Sequence, residues 1–200
     1  MQPTTLEVIT RANRAYGSIA ETSVLEAVYT TLINTFSAFT MPRSVELFPA
    51  QGTDHHGMFP VIGHISVGDI EFEVLSSLGG HLAGQIYLLS TSHGLLFSSD
   101  TVINFESLSS ERREYSTLAV NLVNSVNVAS DIAQRERKAL LEIAKEIDTT
   151  LAPLGKRCLI CGGHGAVSTL DQGRLVIFGI TTQYTHWNRH VPPSCDTTNT

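Results

Sequence analysis

VLSSLGGHLAGQIYLLSTSHGLLFSSD, residues 74–100, holds two apolar runs that meet at a short polar turn, Thr91-Ser92-His93-Gly94. QIYLLS and GLLFSS have the length of strands, and the turn between them suits a hairpin. His81 precedes the hairpin, directly behind Gly79-Gly80, and Asp100 closes it with no cation nearby in the sequence. Glycine lets the backbone turn sharply at such a point, and loops at strand ends are where a rigid scaffold displays working residues.

Working upstream, VIGHISVGDIEFEVL predicts two more strands joined at Val67-Gly68-Asp69. In the second, Ile70, Phe72 and Val74 alternate with Asp69, Glu71 and Glu73, the period of a half-buried strand. PAQGTDHHGMFP, residues 49–60, reads as a loop, and SVELF, residues 44–48, as a short strand after the break at Met41-Pro42. Before that break, capping boxes at Thr4-x-x-Glu7 and Ser23-x-x-Glu26 open two helices within residues 1–40. Downstream, residues 109–151 turn helical. Leu118, Leu122 and Val126 recur every four residues, Leu140, Ile143, Ile147 and Leu151 follow at helical spacing, and Asn127 to Ser130 separate two helices. RERKALLEIAKEI, residues 135–147, has the composition of an amphipathic surface helix. CLIC is then a buried strand, GGHGAVS a loop and RLVIFG a strand.

The order is helices, antiparallel strands, helices, then strand and loop. It predicts an α+β or layered α/β/α fold, with sheets covered by helices, in one domain over 1–184. Within it, 1–40 is helical, 44–100 mostly strands, 109–151 helical, and 157–179 strands and loop, with 185–200 a tail.

Composition narrows the function classes. The chain has 200 residues, 42% hydrophobic and 16% charged, which fits a folded interior. A net charge of -6 argues against nucleic acid, whose phosphates favour a basic surface. No run of 18 uncharged apolar residues marks a membrane span, and residues 1–14 lack the apolar centre of a signal peptide. Three cysteines, with Cys158-x-x-Cys161 unaccompanied by a second pair, read as reduced thiols in a cytoplasmic protein.

His81, Asp100 and His164 share one setting. Each follows a strand, and each histidine stands behind two glycines, Gly79-Gly80 and Gly162-Gly163. Imidazole nitrogen and carboxylate oxygen are donors for zinc, iron and manganese, so the three are candidate metal ligands. The plainer alternative is two loop histidines and a turn-capping aspartate. Asn121, Asn124 and Asn127 form a polar stripe that faces either this site or water. Glu106, Arg112, Arg113 and Glu114 read as a solvated capping region, and Thr185 to His190 as surface.

The ordered set resembles the C-terminal half of the metallo-β-lactamase fold superfamily over about Val61 to Gly179. In that family a Gly-His follows a strand, a hairpin ends in LLFSGD, and helices lead to a strand and a second Gly-His loop. Here these stand as Gly79-Gly80-His81, LLFSSD ending at Asp100, and CGGHG containing His164. The resemblance implies an αββα sandwich holding one or two zinc or iron ions. By it, His81 would bind the first ion, His164 the second, and Asp100 would bridge. The implied activity is metal-dependent hydrolysis or, in diiron members, oxidoreductase chemistry.

The family's His-x-His-x-Asp-His motif is absent. Its nearest counterpart is Thr53-Asp54-His55-His56-Gly57, where Asp54 and His55 are extra ligand candidates but the motif's histidines fall on Ala50 and Gly52. Ser99 also stands where the family has glycine. The expectation is therefore an incomplete sandwich and metal site with little activity alone. It corresponds to a C-terminal portion whose open sheet edges self-associate or meet an N-terminal half. A non-catalytic relic or partner-binding module on the same scaffold is the alternative.

Overall fold

In a computed structural model, residues 2–3, 5–6, 43–49, 51–114 and 127–179 are described. They form an α+β fold built on one eight-stranded sheet whose strands stand in sequence order. The strands are β1 (Asp54–His56), β2 (Phe59–Val67), β3 (Ile70–Ser76), β4 (Ile86–Ser90), β5 (Leu95–Ser99), β6 (Leu159–Gly162), β7 (Ser168–Asp171) and β8 (Arg174–Ile177). The long helix α1 (Ser130–Leu151) lies between β5 and β6 in the chain.

Every neighbouring pair is antiparallel except one. β5 and β6 run parallel, with Leu96 opposite Ile160 and Ser99 opposite Gly162. Parallel neighbours require a crossover, which the α1 segment supplies. β3 is antiparallel to β4 and β4 to β5, so β3, β5 and β6 all point the same way. Their C-terminal ends therefore lie along one edge of the sheet.

The core lies between α1 and one sheet face. Leu140, Ile143, Ala144, Ile147 and Leu151 recur at helical spacing and are buried against Phe59, Val61, Leu75, Tyr87, Leu89, Leu96 and Ile160. Phe59 and Tyr87 meet edge to face at 5.3 Å. α1 is thus amphipathic as its sequence predicts, with its apolar stripe closing the core. The β5–α1–β6 crossover is locked at its far end by Arg157, which donates to both Asp148 oxygens, Nε to Oδ1 at 3.2 Å and a terminal guanidinium N–H to Oδ2 at 2.9 Å. Asp148 Oδ1 also accepts from the Cys158 backbone N–H at 2.5 Å. Among the described residues, no helix is long and apolar enough to cross a membrane.

Three local expectations need correction. Residues 44–48 form no strand. The supposed loop at 49–60 contains β1, an edge strand whose Asp54, His55 and His56 pair with Val61, Pro60 and Phe59. β7 begins at Ser168, inside a segment that lacks an apolar run and is held by pairing with β8. The segment Leu159–Gly162 is the strand expected there, and it pairs parallel to β5, an orientation the sequence reading left open. The expected helices of residues 1–40, apart from helical positions 3, 5 and 6, lie outside the described residues. So do Asn121, Asn124, Thr185 to His190 and the tail 185–200.

Candidate metal centre

The common direction of β3, β5 and β6 decides the geometry of the site. His81 lies in the loop after β3, Asp100 follows β5 by one residue, and His164 follows β6 by two. The three side chains meet at the shared edge. His81 Nε2 lies 3.6 Å from Asp100 Oδ2, and His164 Nε2 lies 3.6 Å from Asp100 Oδ1. The carboxylate therefore divides its two oxygens between two imidazoles.

The spacing carries chemical information. It exceeds the roughly 2.7–3.2 Å of an N–H···O hydrogen bond. It is close to the roughly 3.3–3.4 Å between two donors that each sit about 2.0–2.1 Å from one tetrahedral zinc ion. His81 Nδ1 is 3.0 Å from Asn127 Oδ1. That oxygen only accepts, so Nδ1 carries the proton and a neutral ring presents its Nε2 lone pair to a carboxylate oxygen. Two acceptors facing each other call for a cation between them, either a proton or a metal.

Without metal, the proton fills that role in part. Burial pulls the His81 pKa down, but the Asp100 carboxylate, the Asn127 bond and the charge of Glu136 outweigh it, and the net shift is upward from 6.5. Asp100 moves the other way. The facing His81 ring holds it below 3.8, partial burial opposes this, and the charge of His164 adds to the lowering.

The donor set is split between two points. Among the described residues, no group of three or more imidazole, thiolate and carboxylate donors gathers where it could hold one ion. Each imidazole faces its own oxygen, so each position commands one imidazole nitrogen and one carboxylate oxygen. Asp54 and His55 do not join them. They are exposed on β1, four strands from β5, or roughly 19 Å at the usual strand spacing. Their neighbour His56 pairs instead with Glu73 at 2.8 Å.

The loops around the site show why glycine and a strained serine stand there. A Cβ on Gly80 would overlap the Ala133 backbone, and one on Gly163 would overlap Asp100 Oδ1. Ser99 adopts φ 49°. Left-handed backbone costs an ordinary residue on the order of 1 kcal/mol, which a glycine would avoid. Gly163 N–H donates to Ser99 O at 2.8 Å, tying the strained turn to the second Gly-Gly-His loop.

Sequence reasoning missed Glu136. It sits on the buried stripe of α1 with Leu140, Ile143 and Ile147, fully enclosed. A carboxylate in register with that stripe was the available signal. Its oxygens accept from Ser77 Oγ (2.7 Å), Leu78 N–H (2.6 Å) and Gly80 N–H (3.1 Å). In comparisons with known proteins, no family model and no curated protein matches this chain.

Proposed function

We propose that the chain carries half of a two-metal hydrolase centre on a metallo-β-lactamase-like scaffold, with little or no activity by itself. The observation that carries this reading is the Asp100 carboxylate with one imidazole facing each oxygen. By this reading His81 and Asp100 Oδ2 hold one ion, His164 and Asp100 Oδ1 hold the other, and the ions are zinc or iron. When bound, such ions supply Lewis acidity and lower the pKa of a coordinated water toward 7. The chain's own residues fix the donors: Asn127 keeps the His81 proton on Nδ1, and Gly163 N–H holds the Ser99–Asp100 turn. Diiron oxidoreductase chemistry is the variant of this reading if iron fills both positions.

Two donors per ion are fewer than the three or four of established zinc sites. The expected result is weak zinc binding, with one equivalent lost in His81→Ala, one in His164→Ala and both in Asp100→Ala. Metal content after purification and dialysis tests this. Tight stoichiometric metal that survives both His81→Ala and Asp100→Ala would remove the assignment.

A second reading, a non-catalytic module that self-associates, is favoured by one other observation. The last hairpin exposes Val176, Ile177 and Phe178 at 36–45%, and Phe97 on the sheet face is 41% exposed. Light scattering separates the two: a monomer at high concentration with zinc bound favours the metal centre, and a metal-free dimer favours the module.

A further inference from the structure

The His81 loop and the Asp100 turn are each braced from behind by buried polar groups that touch neither imidazole. Glu136 is fully buried, as is Tyr87, while Ser77 and Thr101 are 9% and 7% exposed. At the His81 loop, Glu136 Oε1 takes Ser77 Oγ–H and Leu78 N–H, and Oε2 takes Gly80 N–H, the amide just before His81. Ser77 Oγ accepts from Gly79 N–H at 2.9 Å. The backbone then closes around the loop: Val128 N–H and Ala129 N–H donate to the His81 and Gly80 carbonyls at 3.1 and 2.9 Å. At the Asp100 turn, the Tyr87 hydroxyl meets Thr101 Oγ1 at 2.9 Å, next to Asp100, and Gln85 Nε2 donates to the same oxygen at 2.7 Å. Burial, which pushes the Tyr87 pKa upward, keeps it a neutral phenol, while Ser77 and Glu136 also act on its hydroxyl.

Simple core packing does not need this arrangement. A carboxylate at a fully buried helix position is destabilising unless its oxygens are satisfied. Here both oxygens are spent on one short loop, and that loop presents His81. We infer that Glu136 and Tyr87 are positioning residues that set the His81 ring and the Asp100 carboxylate at a fixed mutual distance, so that metal affinity depends on side chains outside the donor set. This rests on the two-metal reading above for its consequence, though its structural content does not.

The isosteric variant E136Q makes the test sharp. Glutamine keeps one accepting oxygen for Ser77 and Leu78 but turns an N–H₂ toward the Gly80 N–H, donor against donor. Y87F deletes only the hydroxyl and keeps the ring against Phe59. Three readouts are taken on the full chain: zinc affinity by chelator competition, amide exchange at Leu78, Gly80 and Thr101, and the ¹⁵N signature of the His81 ring without metal. In E136Q the expected result is loss of Gly80 protection, loss of the Nδ1-protonated His81 signature, and zinc affinity weakened about tenfold to a hundredfold. Y87F deprotects Thr101 and weakens zinc roughly tenfold with the His81 signature kept. If the unaltered protein binds no zinc, the metal reading falls and the His81 signature alone decides positioning. An E136Q protein of lower thermal stability with an unchanged His81 ring and unchanged zinc affinity overturns the inference. If E136Q does not fold, Y87F decides: unaltered zinc affinity and Thr101 exchange reject the brace.

Discussion

The tripeptide Gly-Gly-His occurs twice in this protein, at 79–81 and 162–164, and the two copies are held in opposite ways. The first histidine has a side chain only 15% exposed, with Nδ1 bonded to Asn127 and its loop captured by Glu136 and the start of α1. The second is 59% exposed and meets Asp100 at its edge of the site. Their glycines differ as well. Gly79 adopts φ 85° with open space around it, while Gly80 is needed for the close approach of α1. In the second copy Gly163 is needed for the approach of Asp100 itself. The same three residues therefore make one rigid and one open wall of a shared edge. A rigid wall places a donor before any ligand arrives, and an open wall leaves access.

The largest expected effect follows from the glycines. Gly80→Ala forces the α1 backbone away and should destabilise by about 3 kcal/mol, the upper range for overpacking. Gly163→Ala pushes on a partly exposed carboxylate and should cost about 1 kcal/mol. Urea unfolding of the two variants checks the order, and equal costs would break the contrast between the walls.

The histidines come next. In the metal-free protein, His81→Ala should cost about 1–2 kcal/mol near pH 6. His164→Ala should stay within about 0.5 kcal/mol, as for most exposed positions. The pH dependence has a defined sign. His81 has a raised folded pKa, so its contribution is full below 6.5 and is lost as pH rises through the folded value. Asp100 has a lowered folded pKa, so its contribution is present above 3.8 and is lost as pH falls through the folded value. The His81→Ala penalty should therefore shrink between pH 6 and 9, and a penalty that grows over that range would contradict the pairing.

The smallest effect concerns Ser99. Ser99→Gly relieves φ 49° but gains entropy in the unfolded chain, so the net gain should be about 0.5 kcal/mol in thermal unfolding.

The parts that were legible in the sequence share a physical cause. His81, Asp100 and His164 stand out because glycine pairs and apolar runs mark strand ends locally. The stripe of Leu140, Ile143, Ile147 and Leu151 marks α1 in the same local way, and the helix starts at Ser130, the last residue of the break read at Asn127 to Ser130. What stayed hidden depends on distant partners. β1 is three residues long and exists through its pairing with β2, not through propensity. β7 is likewise made by β8, while Ser44 to Phe48 has strand-like residues and no ladder. The parallel match of β5 with β6, which brings Asp100 beside Gly163, joins segments about sixty residues apart. Glu136 looked solvated because its neighbours Arg135, Arg137 and Lys138 are charged, yet it alone of the four turns into the core.

The central claim is that one carboxylate serves two imidazoles. Zinc titration followed by the ring ¹⁵N signals of His81 and His164 tests it most directly. The account predicts that Nε2 of both rings responds to zinc and that Asp100→Ala abolishes both responses together. Two responses that persist independently without the Asp100 carboxylate would contradict it.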